Sequence, residues 1–159
     1  YPLPEAQLDR FFARIRLGYP DRAAEVNILE SQQVMHPLEL VSQVSDVETL
    51  IRAQTFVKGI FMHESIRQYV VDIVRSTREH SLLVVGASPR GTLFLAHAAQ
   101  AHAALRGSSF VNADDVKAVA SLTLSHRVID RGEVRARGLT NEQIIDQVLS
   151  SVPTPVPVE

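Results

Sequence analysis

The sequence predicts a mainly α fold, and three observations carry that reading. Apolar residues recur at helical spacing, most clearly in His63–Glu79, where Ile66, Val70, Ile73, Val74 and Thr77 follow one another at intervals of three and four. Helix-start chemistry appears repeatedly: Ser88 before Pro89, Asn112 before Asp114 and Asp115, and Thr140 with Gln143 three residues on. Strand-like patterning is confined to short stretches.

In chain order, Pro4–Arg14 reads as a short helix, with Pro4 in the first turn and Glu5 at the positive end. "ARIRLGY" (13–19) alternates and stops at Gly18, which fits a strand. Pro20–Val34 is amphipathic, with Ala23, Val26, Leu29 and Gln33 on one side, and Pro37–Val44 is a connector or a short turn of helix. Asp46 caps a helix through Gln54 that turns Val47, Leu50 and Ile51 inward. After His63–Glu79, "SLLVVG" (81–86) is a short apolar run that suits a buried extended segment. The helix capped by Ser88 ends near Arg106-Gly107, and the one capped by Asn112 runs to about Leu124. "VIDRGEVRAR" (128–137) suggests a hairpin about Arg131-Gly132. Thr140 opens a last helix through Ser151, and "VPTPVPVE" is a proline-rich tail without regular structure.

Composition bounds the function. The chain has 159 residues, enough for one domain or slightly more. With 45% hydrophobic and 21% charged residues it is ordinary for a globular protein, and a net charge of −2 argues against a polyanion binder. Cysteine is absent, which excludes disulfides and thiolate metal sites. No apolar run approaches the ~20 residues that span a bilayer. The first residues, "YPLP", have neither a basic stretch nor an apolar core, so they do not read as a signal peptide, and they lack an initiator Met, so the expectation is an internal or C-terminal piece of a longer protein.

Two arginines are candidates for chemistry. Arg90 sits in the first turn of the helix capped by Ser88 and started by Pro89, where free N–H groups and the helix dipole already favour an anion. A guanidinium there adds a positive fork suited to phosphate oxygens, although a pairing with a nearby carboxylate would explain it equally. Arg10, in "EAQLDRFFARI", stands on a turn among Leu8, Phe11, Phe12 and Ile15, placed either to project into a neighbouring subunit or to pair with Glu5, Asp9 or Asp21. The six histidines make no metal-ligand spacing; His97 and His102 do not share a helix face. Arg131, Arg135 and Arg137 form a local basic cluster without interleaved aromatics for base stacking. Only two lysines occur, Lys58 and Lys117, and neither follows a glycine, so this stretch contains no phosphate-cradling loop.

"YPLPEAQLDRFFARIRLGYP" (1–20) resembles the segment that follows the sensor-1 strand in MoxR-family AAA+ ATPases, and the stretch from Tyr69 to Val128, with "GASPRG" in its middle, resembles that family's sensor-2 region and C-terminal lid. The resemblance implies a helical-bundle lid over 19–152, preceded by a remnant of the α/β nucleotide-binding core over 1–18 and followed by the tail 153–159. It implies that Arg10 is an arginine finger reaching the ATP of an adjacent subunit. Arg90 would be the sensor-2 arginine at the γ-phosphate, with Ser88 and Pro89 beside the nucleotide. The Walker motifs and sensor-1 asparagine of the family would lie upstream, so the fragment is expected to be inactive alone, with ATP and Mg2+ bound in the full-length parent and none on this stretch. Expected partners are the upstream core, further copies in a ring (a hexamer) and client proteins, in the cytoplasm. Alternatives are a stand-alone helical interaction module or the lid of a magnesium-chelatase-like motor subunit. A DNA-binding helical domain is disfavoured by the net charge.

Overall fold

The computed structural model describes residues 3–32 and 36–156. Expectations that fell on Tyr1, Pro2, Gln33, Val34 and the last three residues of the tail lie outside the described residues. Helices carry nearly all the regular structure, as the periodicity predicts. The chain divides into two units: residues up to Arg14 together with those from Thr55 onward, and Ile15–Gln54.

The first unit opens with helix α1 (Glu5–Leu8), shorter than the predicted Pro4–Arg14. Arg10 and Phe11 follow in turns, their N–H groups donating to the carbonyls of Gln7 and Leu8. The helix stops because its next groups have partners elsewhere. The Phe11 carbonyl accepts from Arg127, and the Arg14 N–H donates to the Leu122 carbonyl at 3.0 Å instead of closing another helical turn.

The predicted strand at 13–19 does not form; these residues have no regular structure. Ile15 is 74% and Leu17 97% exposed. Alternation alone does not make a strand when no partner edge takes up its backbone groups.

In Ile15–Gln54, α2 (Arg22–Gln32) starts where the Asp21 carboxylate accepts from the Ala24 N–H at 2.8 Å. A 3-10 turn (Pro37–Leu40) follows. Helix α3 (Val47–Gly59) starts where Asp46 accepts from the Thr49 N–H at 2.7 Å. It continues past the predicted end at Gln54, because nothing in Thr55–Lys58 breaks a helix and Lys58 suits its negative end. The inward face predicted for α3 is not buried, and neither is the apolar side of α2: neither helix has a buried residue, and Val26, Leu29, Val47, Leu50 and Ile51 are exposed. A stripe with helical period buries itself only where a complementary apolar surface meets it.

The core lies in the first unit. Helix α4 (Glu64–Glu79) buries Ile66, Tyr69, Val70, Ile73, Val74 and Thr77, which is the predicted stripe with Tyr69 added. Its cap is His63, whose Nδ1 accepts from the Ser65 N–H. Strand β1 (Leu83–Val85) is extended as predicted, but it is not a buried segment: only Leu83 is buried, and Val84 and Val85 are exposed. Helix α5 (Pro89–Leu105) presents Ala98, Ala99 and Ala103 to the interior, and packs chiefly on α6 (Ala113–Leu124) and on α4. Small side chains at these positions let the helix axes approach closely. α5 ends in a Schellman motif: Gly107 has φ +76°, and the Ser108 N–H reaches the Ala103 carbonyl at 2.9 Å.

The predicted hairpin at 128–137 is corrected. Ile129–Asp130 form strand β2, but it pairs antiparallel with β1, with Leu83 opposite Asp130 and Val85 opposite Ile129. Gly132–Ala136 then form a short helix, α7. The distant β1 supplies a better edge than the next residues, and the helical turn carries Val134 into the core, where it is 1% exposed. Helix α8 (Asn141–Ser151) carries the predicted capping box between Thr140 and Gln143, and buries Ile144, Ile145 and Val148. Residues 153–156 of the tail have no regular structure.

Candidate phosphate-facing site

The site is built around the start of α5. Ser88 is its N-cap: the backbone is extended and the Oγ accepts from the Arg90 N–H at 3.2 Å. Pro89 takes the first helical position, where no N–H is needed. This start is fixed from below. The Ala87 N–H donates to Thr77 Oγ1 at 2.9 Å, while the Ala87 carbonyl accepts from Arg78 Nε at 2.8 Å. Gly86 passes so close to α4 that a Cβ would lie 2.5 Å from the Arg78 backbone. Gly91 is buried for a similar reason, since its Cβ would meet Ala87 and Leu124 side-chain atoms at 3.2 Å. The head of α5 is therefore rigid, wedged between the end of α4 and the end of α6.

Arg90 projects from this fixed head. It is exposed, and its guanidinium has no hydrogen bond or ion pair among the described residues. The carboxylate pairing weighed from sequence is absent. Arg10 is likewise exposed and, among the described residues, without a partner. A third residue links the segments that carry them. Asp9, next to Arg10, accepts a hydrogen bond from the Ser88 hydroxyl, with Oδ1 and Oδ2 both 3.0 Å from Oγ. The carboxylate thus takes a place at the positive end of α5, with Arg10 beside it and Arg90 two residues beyond Ser88.

Sequence reasoning missed Asp9, His126 and Arg127. Arg127 follows the end of α6 and is only 7% exposed. Its Nη2 donates to the Phe11 carbonyl and, at 3.4 Å, to the Phe12 carbonyl. Its guanidinium carbon lies 4.7 Å from the centre of the Phe94 ring, and Phe94 in turn packs on Phe12 with ring centres 5.1 Å apart. His126 Nε2 lies 2.9 Å from Arg127 Nη1, which can only donate, and 3.1 Å from the Phe11 carbonyl, which can only accept, so the tautomer decides which of the two it serves. Burial pushes the Arg127 pKa below its ordinary value; Asp9 opposes this and Arg90 adds to it. Burial also lowers the His126 pKa; the Phe11 carbonyl opposes the shift and the Arg127 charge reinforces it. The only sequence signal for Arg127 was a basic residue after a helix C-terminus, which the dipole explains equally well.

Asp115 is also more than a dipole partner. It is 1% exposed, closes a capping box with Asn112, and accepts from Arg106 Nε and Nη2 at 3.1 and 2.9 Å, with His102 Nδ1 at 2.8 Å. Burial alone would raise its pKa, but these hydrogen bonds outweigh that and hold it below the usual carboxylate range. This cluster ties the end of α5 to the start of α6 and lies at the opposite end of α5 from Arg90. Among the described residues no group of histidine, aspartate and glutamate side chains is gathered to hold a metal ion, and no helix is long and apolar enough to cross a membrane.

Known proteins resemble this chain in sequence and fold. The AAA lid domain family model matches residues 75–148, from the second half of α4 into α8. The uncharacterised YeaC protein of Bacillus subtilis is 40% identical over 156 residues, covering 98% of this chain and 49% of its own length. The chaperone MoxR1 of Mycobacterium tuberculosis is 34% identical over 164 residues, covering 98% of this chain and 43% of its own. A solved structure from Cytophaga hutchinsonii, described as a candidate ATPase, superposes with a TM-score of 0.86 at 30% identity, over 98% of this chain and 50% of that one. The chain spans about half the length of the curated relatives it matches. The two resembling stretches and these matches agree: the chain belongs to the MoxR-type AAA+ proteins and corresponds to their C-terminal, lid-bearing portion.

Proposed function

We propose that this chain is the nucleotide-sensing half of an ATP-hydrolysing ring. In this reading residues 1–18 close the α/β core, 19–152 form the lid and 153–159 are a tail. Arg10 is the finger that meets the ATP of an adjacent subunit, and Arg90 is the sensor-2 arginine. Ser88 and Pro89 set the backbone that presents it. The observation that carries the reading is a pair of exposed guanidinium groups, Arg10 and Arg90, that have no partner among the described residues and stand on either side of the Asp9–Ser88 contact at the positive end of α5. Exposed cations held on a rigid frame without a carboxylate partner suit an anion that comes and goes.

Phosphoryl transfer depends mostly on positioning and charge stabilisation, and a finger contributes about 10³–10⁵ in rate, or ~4–7 kcal/mol of barrier. Arg10 would stabilise charge on the transferred group. Arg90 would hold the same group from the head of α5 and lose that contact once the phosphate leaves, freeing the lid to rotate. The residues present fit phosphate oxygens; they offer no ligand set for magnesium, which in the intact protein would sit with the phosphates and neutralise their charge. Such nucleotide-driven motion would remodel or assemble client proteins in a chaperone-like way. The relative named as a chaperone supports that reading.

In the intact protein, Arg90→Ala should leave ATP affinity within severalfold while turnover falls at least a hundredfold. Arg10→Ala should fall further, and mixing those subunits with Walker-mutant subunits should restore turnover. Unchanged turnover in an assembled Arg90→Ala protein would refute the sensor role. Failed complementation with assembly intact would refute a finger acting between subunits.

A further inference from the structure

We propose that Arg127 is a positioning residue that locks the Arg10 segment to the frame of α5, so that the two surface arginines move as one block. The proposal rests on the reading of Arg10 as a finger. It goes beyond that reading by naming what aims the finger.

Arg127 is almost fully buried, carries a permanent charge, and has no carboxylate within ion-pair distance among the described residues. An apolar side chain would fill that volume more cheaply. What the guanidinium adds is direction. Its Nη2 points at the carbonyls of Phe11 and Phe12, the two residues that follow Arg10. Its face lies on Phe94, a residue of α5, and the same ring packs on Phe12. On the other side of Arg10, Asp9 is held by Ser88 at the α5 cap. Arg10 is therefore free at its tip but clamped through both neighbours to the helix that carries Arg90. Arg14 extends the clamp, pairing with Glu142 of α8 and donating its N–H to Leu122 of α6.

A finger needs that clamp. A displacement of about 1 Å at a positioning element can cost ~100-fold in rate. With the clamp, rotation of the lid carries the finger along, so the state of α5 in one subunit is felt at the ATP of the next. Without Arg127 the segment keeps its ties at Asp9 and Arg14, but the Phe11–Phe12 stretch between them, about half exposed, loses the donor that holds its carbonyls.

The test uses the intact protein with Arg127→Leu and Arg127→Lys. Arg127→Leu should assemble, keep KM for ATP within about threefold and lose at least tenfold in kcat. Arg127→Lys, which keeps a charge but not the fork, should fall between. In mixed rings, Arg127→Leu subunits should hydrolyse ATP normally when the adjacent subunit is Walker-mutant but has an intact Arg127. They should also fail as finger donors to a wild-type site. That directional asymmetry is what a general loss of stability cannot produce. Wild-type kcat in Arg127→Lys, or equal defects in both directions of mixing, would overturn the proposal, and Arg127→Lys decides the matter if Arg127→Leu does not fold. If Arg10→Ala also leaves turnover intact, the finger reading itself has failed. If Arg10→Ala abolishes turnover and Arg127 variants do not reduce it, only the clamp has.

Discussion

Helices α2 and α4 both begin with a side chain accepting a backbone N–H, both carry apolar residues at helical spacing, and they end in opposite situations. α4 buries six residues and anchors the core of its unit; α2 buries none. The difference is not in the caps: Asp21 is, if anything, the stronger capping residue type compared with His63. It lies in what the apolar stripe meets. The stripe of α4 meets α5, α6, α8 and β1, whereas Val26 and Leu29 of α2 stay exposed. Local chemistry decides where a helix starts, and tertiary partners decide whether that helix contributes much to stability.

The comparison breaks most sharply at Gly86. A methyl group there would press on the α4 backbone at 2.5 Å, and backbone cannot swing aside as a side-chain tip can. Gly86→Ala should cost about 3 kcal/mol. It should lower the denaturant midpoint with little change in slope. Arg90 should also lose its fixed mount, because Gly86 leads directly into the Ala87 contacts below the α5 cap. A loss under about 0.5 kcal/mol would show that α4 and the segment leading into α5 are less tightly joined than the structure has them.

How much of this was legible in the sequence follows the same division. The starts of α5, α6 and α8 were readable because Ser88, Asn112 and Thr140 act on N–H groups two or three residues away. The α4 stripe was readable because Ile66, Val70, Ile73, Val74 and Thr77 repeat the same period, while Tyr69, also buried, was not read from it. The clamp was not, because its partners lie far apart in sequence: Asp9 and Ser88 are 79 residues apart, and Phe11 and Arg127 are 116 apart. The hairpin expected at 128–137 failed for the same reason, since β2 finds its edge at β1 and not in the next turn. Arg10 and Arg90 could be singled out by position, but that Asp9 joins them was visible only in the fold.

A smaller effect tests the buried side of the comparison through pH. His126 is buried and its pKa is lowered, so the folded chain binds its proton less readily than the unfolded chain. Between the ordinary histidine value of about 6.5 and the lower folded one, the unfolded state holds more protons, and stability rises with pH there. The contribution is complete above that ordinary value and is lost as pH falls through the window. Asp115 and Glu142, also lowered, lose theirs only below the ordinary carboxylate range, so the windows separate. The denaturant midpoint should therefore decline from pH 7.5 to 5 in the wild type and decline less in His126→Gln, which keeps a polar group beside Arg127 and the Phe11 carbonyl without a titrating ring. Parallel declines would mean that His126 is no more buried than the other histidines.

The smallest effect lies on the open side. Leu29 is 70% exposed on α2, so truncating it removes little apolar area from contact, and alanine has the better helix propensity. Leu29→Ala should change stability by less than about 0.5 kcal/mol, in contrast to Gly86→Ala, although it removes three carbons where the other adds one. The contrast holds only if the α2 stripe is as exposed in solution as it is in this chain. A loss above ~1 kcal/mol, measured by the denaturant midpoint at two protein concentrations, would put Leu29 in a buried contact. Concentration dependence would then identify that contact as one between copies, and its absence would place it within a single chain.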